Sequence, residues 1–147
     1  MKAQNEMTLT FLSRSSNESF ARQALTAFFV QLDPTIEEIA DIKTAVSEAV
    51  TNAIVHGYQN TIGKVWIYAK IYPNNSIYIR IKDNGCGIAD VEKAMEPLFT
   101  TCNTGERSGL GFAVMQSFMD KVKVRSVVGK GTTVTLVKKL GKGKSDD

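Results

Sequence analysis

Met7, Leu9 and Phe11 alternate with polar residues over 7–12, the two-residue period of a strand with one buried face. Ser15 followed by Glu18 has the spacing of a capping box. Beyond it Phe20, Ala24, Leu25, Phe28 and Leu32 recur at helical intervals and predict a first helix over 16–32. Pro34 separates this from a second helix. There Thr35 and Glu38 repeat the cap spacing, and Ile36, Ile39, Val46, Ala49, Val50 and Ala53 trace an apolar stripe that Gly57 is expected to stop.

Val65, Ile67, Ala69 and Ile71 alternate, as do Ile77, Ile79 and Ile81 after Pro73-Asn74-Asn75-Ser76, so a hairpin is predicted with polar turn chemistry. Asp83-Asn84-Gly85-Cys86-Gly87 breaks its second strand, and a short helix is expected near Val91–Met95. Residues 97–108 follow neither period and read as a mobile loop. Gly109-Leu110-Gly111 then opens a third helix carrying Leu110, Val114, Phe118 and a stripe reaching toward Val122. Strands near 122–128 and 132–138, joined by Gly129-Lys130-Gly131, close the pattern. Helices first, then mostly antiparallel strands with a helix interposed, predict an α+β fold: a two-layer α/β sandwich with a mostly antiparallel mixed sheet and helices on one face.

With 147 residues and 43% hydrophobic content, one packed domain is expected over 1–140, with 141–147 as a flexible tail. The 18 Lys and Arg against 15 Asp and Glu give a mild +3, too little to imply a nucleic-acid binder. No apolar run approaches the roughly 18 residues of a membrane span, and no secretory signal opens the chain. Cys86 and Cys102 have no second pair to form a zinc set, and His56 is the one histidine. Reduced thiols of a soluble, cytoplasmic protein fit this usage better than a disulfide framework.

Four features carry candidate chemistry. Glu48, Asn52 and His56 lie four apart on one ridge of the second helix, outside its apolar stripe. They either solvate an exposed face or place a hard amide oxygen suited to Mg²⁺ one turn from a proton-accepting carboxylate. His56 reads as a polar residue at a helix end. Asp83 to Gly87 is either a turn rich in glycine or a pocket in which a carboxylate accepts from the exocyclic amine of adenine and small residues admit a flat base. Gly105 to Phe112 is a glycine-rich lead into a helix, where amides and the helix dipole favour an anion and Arg107 could reach a phosphate. It is not a Walker loop, since the Gly-Lys-Ser/Thr ending is missing. Gly131-Thr132-Thr133 is either an ordinary hairpin turn or a hydroxyl placed beside a base.

Together, in this order, Glu48-Ala-Val-Thr-Asn52, Asp83-Asn-Gly85-Cys-Gly87, Gly109-Leu110-Gly111 and Gly131-Thr132 resemble the ATP-binding fold shared by GyrB, Hsp90, histidine kinases and MutL. The run Ile42 to Tyr58, Pro97-Leu-Phe-Thr-Thr101 and Glu106-Arg-Ser-Gly-Leu-Gly-Phe112 narrow this to the anti-sigma factor kinases of spore-forming bacteria. The chain resembles their anti-sigma F branch most, with the general-stress anti-sigma B kinases as near relatives.

The resemblance implies a homodimer that binds ATP or ADP with Mg²⁺, holds a sporulation sigma factor of the sigma F type inactive, and phosphorylates a serine on an anti-anti-sigma factor. It implies no direct contact with nucleic acid or membrane. By matching position, Asn52 would ligate Mg²⁺ and Glu48 would be the general base. Asp83 would read the adenine amine, Gly85 and Gly87 would shape the base pocket, and Thr132 would support it. Residues 97–111 would form a lid in which Gly109, Leu110 and Gly111 lend amides to the phosphates and Arg107 reaches the γ-phosphate. Arg22, on the first helix, is the candidate contact for a partner protein. Neither cysteine belongs to the motif. Two other classes stay open: the catalytic domain of a histidine kinase, which needs a phospho-accepting histidine beyond His56, and a binding module that uses ATP without transferring phosphate.

Overall fold

The computed structural model describes residues 1–96 and 110–141. Five strands form one sheet: β1 (Asn5–Leu12), β2 (Lys64–Ile71), β3 (Ser76–Asp83), β4 (Lys121–Val127) and β5 (Gly131–Lys139). Their order is β1-β2-β3-β5-β4, and all four pairings are antiparallel. The predicted hairpin register follows from the alternation, since Val65, Ile67, Ala69 and Ile71 are all buried, as are Ile77, Ile79 and Ile81. Asn75 takes a left-handed φ of 66° in the connecting turn, a conformation asparagine tolerates.

Helices α1 (Ser16–Phe29), α2 (Ile36–Thr51), α3 (Val91–Met95) and α4 (Leu110–Phe118) complete the second layer. The core lies between sheet and helices: Leu25 and Phe29 of α1, Ile42, Val46 and Val50 of α2, and Met115 of α4 are all fully buried. The first cap expectation fails. Ser15 makes no side-chain cap bond: its own backbone is helical (φ −58°, ψ −30°) and its carbonyl accepts the Glu18 amide at 3.2 Å, while the Glu18 carboxylate pairs with Arg22 Nε at 3.0 Å. Two stripes are also rotated from the sequence reading. In α1 the buried set is Ala21, Leu25 and Phe29, while Phe20 is 52% exposed. In α4 it is Phe112 and Met115, continued by Met119, while Phe118 lies at the surface and Val122 already belongs to β4.

The second capping box is complete. Thr35 Oγ1 accepts from the Glu38 amide at 3.0 Å, and Glu38 Oε1 accepts from the Thr35 amide at 2.9 Å. The other Glu38 oxygen accepts from the Gly141 amide at 2.7 Å, tying the start of α2 to the end of β5. Residues 142–147 of the expected tail lie outside the described residues.

Candidate functional site

Helix α2 does not stop at Thr51. It continues as a π-helical turn over Asn52–Gly57, closed by the Tyr58 amide donating to the Ala53 carbonyl at 3.2 Å. The Asn52 amide still bonds the Glu48 carbonyl, so these two side chains keep their one-turn relation, whereas His56 sits on the wider winding beyond. Such turns are frequent at functional sites, and this one carries the chain from Asn52 to the carboxylate of Asp83.

The backbone of α4 meets this ridge at Gly111. A Cβ placed there would lie 2.9 Å from Asn52 Nδ2, 3.2 Å from Glu48 Oε1 and 3.3 Å from Asn52 Oδ1. Only a residue without a side chain lets the first turn of α4 approach both polar groups so closely. Asn52 Nδ2 is buried and lacks a hydrogen-bond partner among the described residues. An orphaned buried amide costs about 1–3 kcal/mol, so its retention beside a carboxylate and a helix N-terminus points to a ligand that satisfies it.

Asp83 ends β3 at the centre of the sheet and is 5% exposed. Its Oδ1 accepts from the Gly85 amide at 2.8 Å. Burial pushes its carboxyl above the ordinary value, and the Gly85 and Thr132 amides only partly offset this. Three glycines allow the surrounding backbones to close in. A Cβ on Gly57 would lie 2.9 Å from Asp83 Oδ1, one on Gly85 would overlap the Gly57 carbonyl, and one on Gly131 would overlap the Asp83 carbonyl. Gly87 (φ 80°) and Gly131 (φ 124°) adopt left-handed backbone that favours glycine.

Hydroxyls brace the loop on both sides. Tyr58 Oη donates to the Lys64 carbonyl and accepts from the Asn84 amide, both at 2.7 Å. Burial, with the charge of Asp83, pushes the Tyr58 phenol up despite the Asn84 bond, so it remains a donor. Across the loop, Ser126 Oγ accepts from the Ile88 amide at 2.7 Å and shares a hydrogen bond with Thr132 Oγ1 at 2.8 Å. Cys86 is exposed, and its thiol donates to the His56 carbonyl at 3.1 Å. An open depression of about 520 Å³ adjoins the loop, lined by Gly57–Ile62 and Asn84–Cys86, and includes none of Glu48, Asn52 or Asp83.

The model of the histidine kinase-like ATPase domain matches residues 12–138, which contain both the α2–α4 junction and the Asp83 pocket. The chain belongs to this family. Within it, the chain is 60% identical over 144 residues to an anti-sigma F factor of Thermoanaerobacter sp. (strain X514), covering 98% of this chain and all of that one. It is 51% identical over 141 residues to an anti-sigma F factor of Geobacillus thermodenitrificans, covering 96% and 97%. It is thus a member of the anti-sigma F factors. In fold it is similar to a crystal structure of the RsbU and RsbW domains of a Mycobacterium tuberculosis protein, with a TM-score of 0.67, 20% identity, and coverage of 93% of this chain and 32% of that one.

Against this ATPase fold, the sequence-predicted residues fall into two groups. Glu48, Asn52 and Gly111 come together at the α2–α4 junction. Asp83, Gly85, Gly87 and Thr132 come together around the loop that follows β3. The π-turn joins the two. Leu110 is the first residue of α4, while Arg107 and Gly109 lie outside the described residues, as do Cys102 and most of the expected lid. Arg22 stands apart on α1, paired with Glu18, whose carboxyl is drawn up by burial and down further by Arg22 and Ser47, ending below its ordinary value.

Three contributors were not singled out by sequence reasoning. Gly57 was expected only as a helix stop, and nothing local announces that it faces a carboxylate. Tyr58 closes the run Ile42 to Tyr58 that carries the resemblance, but no role was attached to it. Ser126 did leave a signal: it follows Val122 and Val124 in alternation, which places a hydroxyl on the inward face of β4.

Proposed function

We propose that this chain is an ATP-dependent serine kinase that holds a sigma factor of the sigma F type inactive and phosphorylates the anti-anti-sigma factor opposing it. The observation that carries the reading is the convergence of Glu48 Oε1, an Asn52 side-chain amide unpartnered among the described residues, and the Gly111 backbone at the first turn of a helix. Backbone donors at such a turn favour phosphate. The buried Asp83 carboxylate beyond the π-turn would accept from the amine of adenine.

The donor set fits Mg²⁺. Among the described residues no group of three or more His, Cys, Asp or Glu could hold a metal. By the resemblance Asn52 would hold the ion through its Oδ1, a hard oxygen, with nucleotide oxygens and water as the other ligands that Mg²⁺ prefers. Bound there, Mg²⁺ supplies neutralisation of phosphate charge. Glu48 then takes the proton of the serine hydroxyl as its oxygen bonds the γ-phosphorus and ADP departs. Gly109, Leu110 and Gly111 offer backbone amides to the phosphates, and Arg107 meets the γ-phosphate. These lid roles rest on the resemblance.

The chain acts as a cytoplasmic homodimer in this reading. The β1 edge offers unpaired backbone groups to a second copy, and Arg22 offers its charge to a partner protein. No described helix is long and apolar enough to cross a membrane. The test is to titrate Mg·ATP and Mg·ADP by calorimetry, then incubate with γ-labelled ATP and the anti-anti-sigma factor. Acid-stable label on serine supports the kinase. Normal nucleotide binding with label nowhere leaves a nucleotide-dependent binding module and overturns it.

A further inference from the structure

The sheet face turned away from the helices carries an ordered cationic surface that the nucleotide site does not use. Its strand positions hold eight cations: Lys64 and Lys70 of β2, Arg80 and Lys82 of β3, Lys121, Lys123 and Arg125 of β4, and Lys139 of β5, whose Nζ donates to the Asn74 carbonyl at 3.0 Å. The one carboxylate among the outward positions of the five strands is Glu6, on the far edge strand β1.

The register arranges these charges in transverse rows. One row runs Trp66, Lys82, Thr133, Arg125 from β2 to β4. The next runs Tyr68, Arg80, Thr135, Lys123. The third runs Lys70, Tyr78, Val137, Lys121. In the first two, a threonine hydroxyl on β5 lies between a cation on β3 and one on β4. Those cations stand two strands apart, about 9.6 Å, and successive rows repeat every two residues, about 6.8 Å. The aromatic rings are already engaged. Arg80 lies over Tyr68 at 4.7 Å, Lys82 over Trp66 at 5.2 Å and Lys70 over Tyr78 at 5.7 Å. Those stacks tether the β3 cations over the rings of β2 and Lys70 over the Tyr78 ring of β3.

We propose that this face docks an extended acidic protein segment with Asp or Glu at alternate positions. Alternate side chains of an extended strand point the same way and repeat at about 6.8 Å, the repeat of the rows. In the first two rows a carboxylate then meets one cation from β3 and one from β4 with the threonine hydroxyl beneath it as a further donor, while in the third, where Glu6 stands opposite Lys70, it meets Lys121 of β4 alone. A second copy of the same face is excluded as occupant by repulsion between like charges. A single-stranded nucleic acid fits less well, because binding of that kind draws on open rings for base stacking, and each of these half-buried rings already has a cation over it.

The test is fluorescence anisotropy of the full chain with a labelled peptide of alternating Glu and Ser, its Gln-for-Glu counterpart, and a single-stranded oligouridylate of matching charge. The Glu peptide should bind, weaken as salt rises, and lose about tenfold in affinity in the Arg80→Gln, Lys82→Gln, Lys123→Gln variant, since each exposed ion pair is worth roughly two- to threefold. The Gln peptide should not bind. The melting temperature and ADP affinity of the variant report whether its fold is kept; if they fall, Lys121→Gln with Arg125→Gln on the edge strand replaces it and should weaken the Glu peptide several-fold. No binding of the Glu peptide at low salt, equal binding by a folded variant, or tighter binding of the oligouridylate would each overturn the proposal.

Discussion

Gly57 and Asp83 sit so close that a methyl group on the glycine would stand 2.9 Å from the carboxylate oxygen. The contact joins the end of the π-turn to the end of β3, so the polar end of the pocket is set by a backbone rather than by a side chain. Gly57→Ala should push the Asp83 carboxylate out of place. Overpacking of this kind costs about 1–3 kcal/mol. We expect a melting temperature a few degrees lower and a loss of ADP affinity larger than that stability change accounts for, read by thermal denaturation and calorimetry.

Glu48→Gln keeps the shape and hydrogen-bonding reach of the side chain beside Gly111 while removing its basicity. Nucleotide affinity should stay within about twofold, and serine phosphorylation should fall by about 10²–10⁴-fold, the usual contribution of a positioned base. Single-turnover transfer to the anti-anti-sigma factor measures this directly. Normal transfer would exclude Glu48 as the base.

The carboxyl of Asp83 is raised by burial from its ordinary value of 3.8. The folded protein therefore holds this proton more tightly than the unfolded chain does. Its ionisation costs stability as pH climbs from about 4 through the raised value, and nothing below that window. Asp83→Asn removes the titration, so the stability of the variant relative to the parent should improve between pH 4 and neutrality. Denaturant melts of the nucleotide-free proteins at both pH values test the sign.

Ser126→Ala leaves the Ile88 amide without its acceptor and Thr132 without its hydroxyl partner. A buried donor stranded in this way costs about 1–3 kcal/mol. The base loop should exchange its amide hydrogens faster, and adenine nucleotide affinity should drop several-fold while the core of the sheet keeps its protection.

Arg22→Ala breaks an ion pair on the flank of α1 whose arginine side chain is 33% exposed. Pairs of this type in helices contribute about 0.3–0.5 kcal/mol, so stability should barely move. Capture of the sigma factor, followed by sedimentation with Mg·ADP present, should weaken if Arg22 is a partner contact. Unchanged capture would remove it from that surface.

The strands were legible because alternation alone decides which side of a sheet a residue faces, and Val65 to Ile71 and Ile77 to Ile81 obey it without exception. Helix faces were less secure. Phe20 and Phe118 satisfied helical spacing, yet the neighbouring, smaller Ala21 and the flexible Met115 reach the sheet, because the angle at which a helix lands is set by its partners. The Thr35–Glu38 cap held because Thr35 has the extended backbone a cap needs, and the Ser15–Glu18 one failed because Ser15 is already helical, a difference that the shared spacing could not announce. At the site, the polar residues could be named from their spacing, but not the π-turn. The extra residue it accommodates per turn leaves no periodic trace in six positions, and it is what brings Gly57 to Asp83.

Glu38 gives one oxygen to the first turn of α2 and the other to the amide that follows β5. Anything that tugs on the chain beyond Gly141, whether a fused partner, a tether to a surface or a bound macromolecule, would be felt at the opening turn of the helix whose far end carries Glu48 and Asn52.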